Sequence, residues 1–371
     1  MKTLADYLNA IPPSFVFSKI SPQGLGEKAL SCLQGAVHSD KIFAVKFNRL
    51  LRKLMLLISI MVIKNWAYAQ QDAQFSQYMF NGIYINPAYA GYKEQLNAHA
   101  FYRNQFVGVD GAPQTMSLAI DAIANKGNVG LALQISNDII GAQRNLSVYA
   151  NYAYRLRLNG YNDERLAFGL GVGAIQLGID GALLNPNDFE NQQPPGMQST
   201  IVPDARAGVY FANDRFYAGL SVDNLIPQLV SMSNYPFIIK PKPHYYLTAG
   251  MLVPLNENIQ LKPSFLIKDD RGGPTSLDLS TFFILNDKIW LGGAYRTAIK
   301  LYSKSYLQND LRNMSAAVAA AQFFASDTFR IGYAYDFSAG GLSGNLGGSH
   351  EISISFLFKK TYLRVSNPRP F

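Results

Sequence analysis

Residues Asn145–Leu158 read NLSVYANYAYRLRL. Leu146, Val148, Ala150, Tyr152, Tyr154, Leu156 and Leu158 occupy every second position, opposite Asn145, Ser147, Asn151, Arg155 and Arg157. A helix would scatter these sets around its circumference, whereas a strand, whose side chains alternate between two faces, separates them cleanly. Asn128–Ser136 repeats the pattern, with Val129, Leu131, Leu133 and Ile135 opposed to Gly130, Ala132, Gln134 and Ser136.

Working outward, the same period predicts strands near 95–106, 114–124, 128–137, 143–158, 164–177, 205–212, 215–223, 244–254, 258–267, 275–285, 288–297, 314–325, 328–337 and 350–358, fourteen in all. The alanine-rich run Ala316–Ala321 is counted among them although its propensity is helical. Short polar connections such as Asn213-Asp214, Asn286-Asp287 and Ser326-Asp327 interleave with mostly longer ones, notably 178–204, 224–243, 298–313 and 338–349. An even strand number with alternating short and long connections is the pattern of an all-β, antiparallel transmembrane β-barrel of the outer membrane, with short periplasmic turns and longer extracellular loops.

A soluble sandwich or propeller also has many strands. The alternating runs here reach about 10–14 residues, nearer the 9–11 of a tilted membrane strand than the 5–6 of an average soluble one. Their apolar faces end in Tyr152, Tyr154, Tyr333, Tyr335 and Phe337, as interfacial girdles do. The opposite faces carry Arg103, Asp121, Arg155, Arg157, Arg206, Asp223, Asp278, Arg296, Arg330, Asp336 and Glu351, expected to pair across the lumen and keep it filled. In GLGVGA, Gly169, Gly171 and Gly173 share a lumen face on which something bulky is expected to pack.

Upstream, Lys46, Arg49, Arg52 and Lys53 precede the apolar core Leu54–Ile63 and the small-residue site Ala67-Tyr68-Ala69. This is the three-part pattern of a signal peptide, too short in its apolar core for a membrane helix, with cleavage expected after Ala69. Val45 directly precedes the basic run, so 1–44 reads as a non-native extension and 45–69 as the signal. Residues 1–69 hold 9 of the 33 Lys and Arg but 3 of the 25 Asp and Glu, leaving 24 against 22 and a charge of only +2. A basic nucleic-acid surface therefore loses its support. The one cysteine, Cys32, also lies in that segment, so the mature part offers no thiolate ligand or cysteine nucleophile.

His99, His244 and His350 lie far apart without metal-ligand spacing, and no Ser, His and acid form a recognisable triad. No enzymatic activity, metal or cofactor is expected. Between signal and first strand, residues 70–94 contain QFSQYMFNGIYINPAYAGY (Gln74–Tyr92), rich in amides and aromatics, with a turn at Asn86-Pro87.

This stretch, with FYRNQFVGVDGAPQTMSLAIDA at Phe101–Ala122 and GGSHEISISFLF at Gly347–Phe358, resembles the PorP/SprF family of type IX secretion system membrane proteins of Bacteroidota. The resemblance spans the mature chain and carries over Gln74, Phe75, Ser76, Gln77, Tyr78, Asn86, Pro87, Ala88, Tyr89 and Gly91, then Arg103, Asn104, Gln105, Gly108, Gly111, Ala112 and Pro113, as family markers and candidate partner contacts. It implies a barrel (95–358) that supports secretion or surface attachment of cargo proteins such as gliding adhesins. The implied partners are the type IX machinery, secreted cargo, periplasmic proteins and outer-membrane lipid, with no nucleic acid or small-molecule substrate. The alternative is a fourteen-stranded transporter for hydrophobic small molecules; a diffusion channel ranks below it. The basic tail 359–371 reads either as a periplasmic docking tail or as an extension without a role. Sequencing of the exported protein is expected to begin at Gln70; retention of residues before Ala69 would refute the leader.

Overall fold

The computed structural model describes residues 75–159, 164–184, 196–235, 237–304, 315–339 and 347–358. The expected leader, its Ala69 cleavage site, Gln74 and the tail 359–371 lie outside the described residues.

The strands are β1 (Leu96–Asn104), β2 (Gln114–Ala124), β3 (Val129–Ile140), β4 (Gln143–Asn159), β5 (Glu164–Asp180), β6 (Met197–Ala212), β7 (Phe216–Asp223), β8 (His244–Met251), β9 (Ile259–Asp269), β10 (Thr275–Leu285), β11 (Ile289–Ile299), β12 (Ser315–Phe324), β13 (Phe329–Ala339) and β14 (Ser349–Phe358). Val253–Pro254 continues β8 beyond Leu252, and with it counted there the strands number fourteen among the described residues. Each strand pairs antiparallel with its sequence neighbours, and β1 pairs with β14 from Leu96↔Phe358 to Asn104↔His350, which closes the sheet into a barrel. Closure removes the first and last edges that an open sheet would expose.

Alternation decides which side chains meet lipid. Leu131, Leu133, Tyr152, Tyr154, Tyr333 and Phe337 point outward, while Ala132, Gln134, Asn151, Ala153 and Arg155 are buried in the lumen. Arg157 shares the inward parity of Arg155 but sits near the rim and is exposed. At the short-turn end Asn286 and Asp287 both adopt positive φ in the three-residue connection that sets Leu285 opposite Ile289, and Lys288 N–H donates to the Leu285 carbonyl at 3.0 Å.

The strand boundaries depart from the sequence pattern mainly at the loop end. β5 runs to Asp180 and β6 begins at Met197, so the expected connection 178–204 is largely a tall hairpin. Pro203, inside that expected connection, pairs opposite Ala174 within the sheet. The alanine-rich β12 is a strand because it pairs on both sides, with β11 and β13, and sets Val318 and Ala320 into the buried interior.

Outward positions in the bilayer band tolerate charge poorly. Leu133→Arg is expected to destabilise the barrel by roughly 2–4 kcal/mol in reversible folding into lipid bilayers, with Gln134→Asn, one residue away but facing the lumen, costing far less.

Candidate functional site

The lumen is filled by the segment from Phe75 to Gln95. Three single-turn 3₁₀ helices, Tyr78–Phe80, Gly82–Tyr84 and Pro87–Tyr89, fold it compactly. Asn81 caps the second, and the Asn86 carboxamide oxygen accepts the Ala88 N–H at 2.9 Å to cap the third, whose first residue is Pro87. The Asn-Pro turn signal thus starts a helical turn inside the barrel.

Both main hydrophobic clusters are built on this segment. Ile83, Tyr84, Ala88 and Tyr89 pack on Phe101, Tyr210 and the small inward residues Ala119, Ala132, Ala153 and Ala167. Tyr78, Met79, Phe80 and Ile85 pack on Leu266, Phe282, Trp290 and Val318. Phe80 meets Phe282 and Trp290 edge-on, each with ring centroids 5.6 Å apart, and Tyr89 stacks on Tyr92 at 4.9 Å. A Cβ on Gly169 would strike the Ala88 backbone, so glycine there is a docking requirement. Gly171 and Gly173 instead make room for Arg206 and Tyr149, side chains of the wall itself. Gly91, at φ +69°, turns the chain against Gly130 and the Ala122 carbonyl.

Polar anchors fix the segment to strands around the circumference. Ser76 and Gln77 N–H groups donate to the two carboxylate oxygens of Glu351 at 2.8 and 2.9 Å. The Ser76 hydroxyl donates to Asp336 at 2.7 Å, and the Ser353 hydroxyl donates to the Gln77 side-chain oxygen at 2.6 Å. Arg103 completes the knot: one guanidinium nitrogen donates to Ser76 Oγ at 2.8 Å and Glu351 at 2.9 Å, the other to Asp336 at 2.7 Å. Further along, Lys262 Nζ donates to the Met79 carbonyl at 3.2 Å and lies 4.9 Å from the Trp290 ring centroid. Arg206 donates to the Tyr84 carbonyl at 3.1 Å, Ser221 to that of Ile85, and the Asn86 amide to that of Val209 at 3.0 Å. Tyr84 donates to the His99 carbonyl at 3.1 Å. Glu94 pairs with Arg155 at 3.1 Å and with Arg165 near the turn end. Burial holds the Lys93 ammonium below the usual lysine range; Arg330 adds to the shift and Asp121 opposes it.

Most of the expected lumen charges pair as opposites, but Asp121 instead accepts from the Asn97 amide at 2.6 Å and Arg330 lies 4.1 Å from the Phe324 ring centroid. Besides the Arg103 knot, Arg206 reaches Asp223 at 2.8 Å and Arg296 reaches Asp278 at 2.9 Å and Asp336 at 3.4 Å. Of the sequence-marked residues, Phe75, Ser76, Gln77, Tyr78, Asn86, Pro87, Tyr89 and Gly91 lie in the lumen and Arg103 holds them there. Asn104 and Gln105 instead lead into the β1–β2 connection, where Gln105 N–H donates to the Pro113 carbonyl and Val107 N–H to that of Gly348, at 2.9 and 3.0 Å. Lys262 and Tyr210 were not singled out by sequence, although each occupies an inward position of its strand's alternation.

Above the segment, Phe75 and Tyr84 line a chamber of about 90 Å³, with Gln134, Ser136, Asp138 and Asn145 on its wall. The connection 224–243 folds inward beside it: Met232 and Ile238 are buried against Leu177, Ile179 and Val202. No group of three or more His, Cys, Asp or Glu residues suited to a metal occurs among the described residues.

Arg103→Ala would leave Glu351 and Asp336 buried beside a vacated cation. Such an uncompensated loss costs about 3–5 kcal/mol, read as a lowered unfolding midpoint of the refolded barrel. Gly169→Val is expected to unseat the segment at Ala88 and increase protease cleavage between Phe75 and Gln95, whereas unchanged protection would refute the close packing.

No curated protein matches the chain by sequence. Among solved structures it is similar to the Acinetobacter baumannii outer membrane protein Omp33 at 7% identity, covering 71% of this chain and 98% of that one with a TM-score of 0.40. It is similar to a Pseudomonas aeruginosa FadL homologue at 12% identity, with 79% and 96% covered and a TM-score of 0.43. The CymD monoaromatic hydrocarbon channel is similar at 10% identity, with 80% and 96% covered and a TM-score of 0.48. The barrel assignment rests on the ladder register and not on these likenesses. The family model described as type IX secretion system membrane protein PorP/SprF matches residues 67–356, a span that takes in all fourteen strands but for the last two residues of β14 together with the lumen segment. With the three motifs of that resemblance meeting at Arg103, Glu351 and Ser76, the chain belongs to the PorP/SprF family of type IX secretion system membrane proteins.

Proposed function

We propose that this protein is a non-enzymatic outer-membrane component of the type IX secretion system that supports secretion or cell-surface attachment of cargo proteins. The filled lumen carries the reading. A segment anchored to strands around the wall by buried ion pairs, hydrogen bonds and two hydrophobic clusters suits a platform better than a conduit, because solute passage would require those contacts to break. With short turns in the periplasm, the chamber and the connection 224–243 face outward, where an exported protein is held or handed over. The turn end, with Glu94, Arg155 and Arg165, faces the periplasmic parts of the machine.

The alternative, transport of hydrophobic small molecules, draws less support. The chamber wall carries Gln134, Ser136, Asp138 and Asn145, polar groups that an apolar solute would desolvate. Affinity purification of the full chain from outer membranes under gentle extraction is expected to recover type IX components together with a secreted cargo protein. Recovery of neither would overturn the proposal, and uptake of a hydrophobic compound that depends on this chain would favour the alternative.

A further inference from the structure

Among the described residues, β6 leaves one side of its ladder open. β6 pairs with β5 along its whole length, from Arg165↔Ala212 to Asp180↔Met197. On its other side it pairs with β7 only from Ala207↔Val222 to Ala212↔Tyr217. One more bond, Leu225 N–H to the Ala205 carbonyl at 3.1 Å, extends that side before the chain turns into the connection 224–243. Beyond it, Met197–Asp204 has no strand partner on this side among the described residues.

Parity identifies the groups at the edge. Because Ala205 directs its carbonyl toward β7, antiparallel alternation directs the backbone groups of Pro203, Ile201, Ser199 and Met197 the same way, and those of Val202, Thr200 and Gln198 toward β5. Pro203 corroborates this, since a residue without an N–H is tolerated where no ladder donor is required. The edge thus offers the N–H groups of Met197, Ser199 and Ile201 and the carbonyls of all four residues.

Counted from the turn-end residue Ala212, the roughly 9–11 residues that cross a bilayer core reach about Val202. Met197–Ile201 therefore stands beyond the hydrocarbon. There, Met197 and Ile201 are 69% and 68% exposed, and neighbouring Leu183 is 68% exposed. Natural edges are guarded by lysine, by bulges or by a covering loop. This one, MQSTIVP, carries no charge.

We infer that Met197–Pro203 is a β-augmentation site for an extended strand of a secreted protein, which adds to β6 and sets apolar side chains beside Met197 and Ile201. The occupant's chemistry follows from the edge. Its open backbone groups match another extended chain, its lack of charge neither selects nor repels one, and its exposed apolar side chains lie in water unless covered. The inference deepens the cargo-holding reading above and rests on it.

The test uses the full-length protein in its own outer membrane. Ser199→Pro removes an edge donor and Ile201→Lys places a guarding charge on the edge; neither touches the β5 ladder. Both variants are expected to keep the heat-modifiable migration of a folded barrel while co-recovery of the secreted protein falls at least tenfold. Thr200→Pro, which removes a β5-facing donor, is expected to impair folding itself. A photo-crosslinking residue at position 201 is expected to capture a secreted protein through a contiguous extended segment. Undiminished co-recovery by both folded edge variants, capture of only a second copy of this chain, or no capture would overturn the edge site while leaving the cargo function standing. Failure of the wild-type protein to recover any secreted or machine protein would instead overturn both.

Discussion

The structure depends on a charge balance that no single strand can make. Arg103 on β1, Asp336 on β13 and Glu351 on β14 converge in the lumen, with the Ser76 and Gln77 backbone completing the bonds that the carboxylates require. An isolated buried charge is prohibitively costly, so each member is tolerated only with the others in place. The knot also lies at the seam where β1 meets β14, which ties barrel closure to seating of the N-terminal segment.

That dependence explains the composition of the wall. Barrel strands usually fill their lumen with long side chains, but here many inward positions facing the segment are alanine or glycine, namely Ala119, Ala132, Ala153, Ala167, Ala320, Ala334 and Gly169, beside larger Phe101, Tyr210, Phe282 and Trp290. The first cluster sets four of the alanines with Tyr84, Ala88 and Tyr89, and the second sets Ala320 and Ala334 with Tyr78. The wall and its filling form one core, in which a small wall residue pairs with a large side chain or a close backbone from the segment. The turn end is thereby sealed by packed aromatic and backbone groups, while the loop end keeps a polar chamber and a tall β5–β6 hairpin.

Much was legible in the sequence because the governing rules are local. Period-two alternation located fourteen strands, and Asn-Asp pairs located tight turns, since both depend on neighbouring residues alone. The same alternation sets Arg103, Asp336 and Glu351 on the lumen face, where opposite charges are expected to pair. Local rules failed where partners come from afar: the stretch 178–204 reads as a connection although Pro203 pairs within the sheet, where its missing N–H matters only if that side of the strand is paired, and the bulk over Gly171 and Gly173 comes from Arg206 and Tyr149 of the wall itself.

The sequence by itself determined the barrel, because hydrophobic alternation and turn chemistry are written residue by residue and survive any rearrangement of the loops. Only the tertiary structure decided that three motifs separated by as much as 275 residues meet at one carboxylate, as in the bond from Ser76 to Glu351. It alone also decided which edge of β6 stays open. Both depend on which strand stands beside which and at what height, a long-range register that no local pattern encodes.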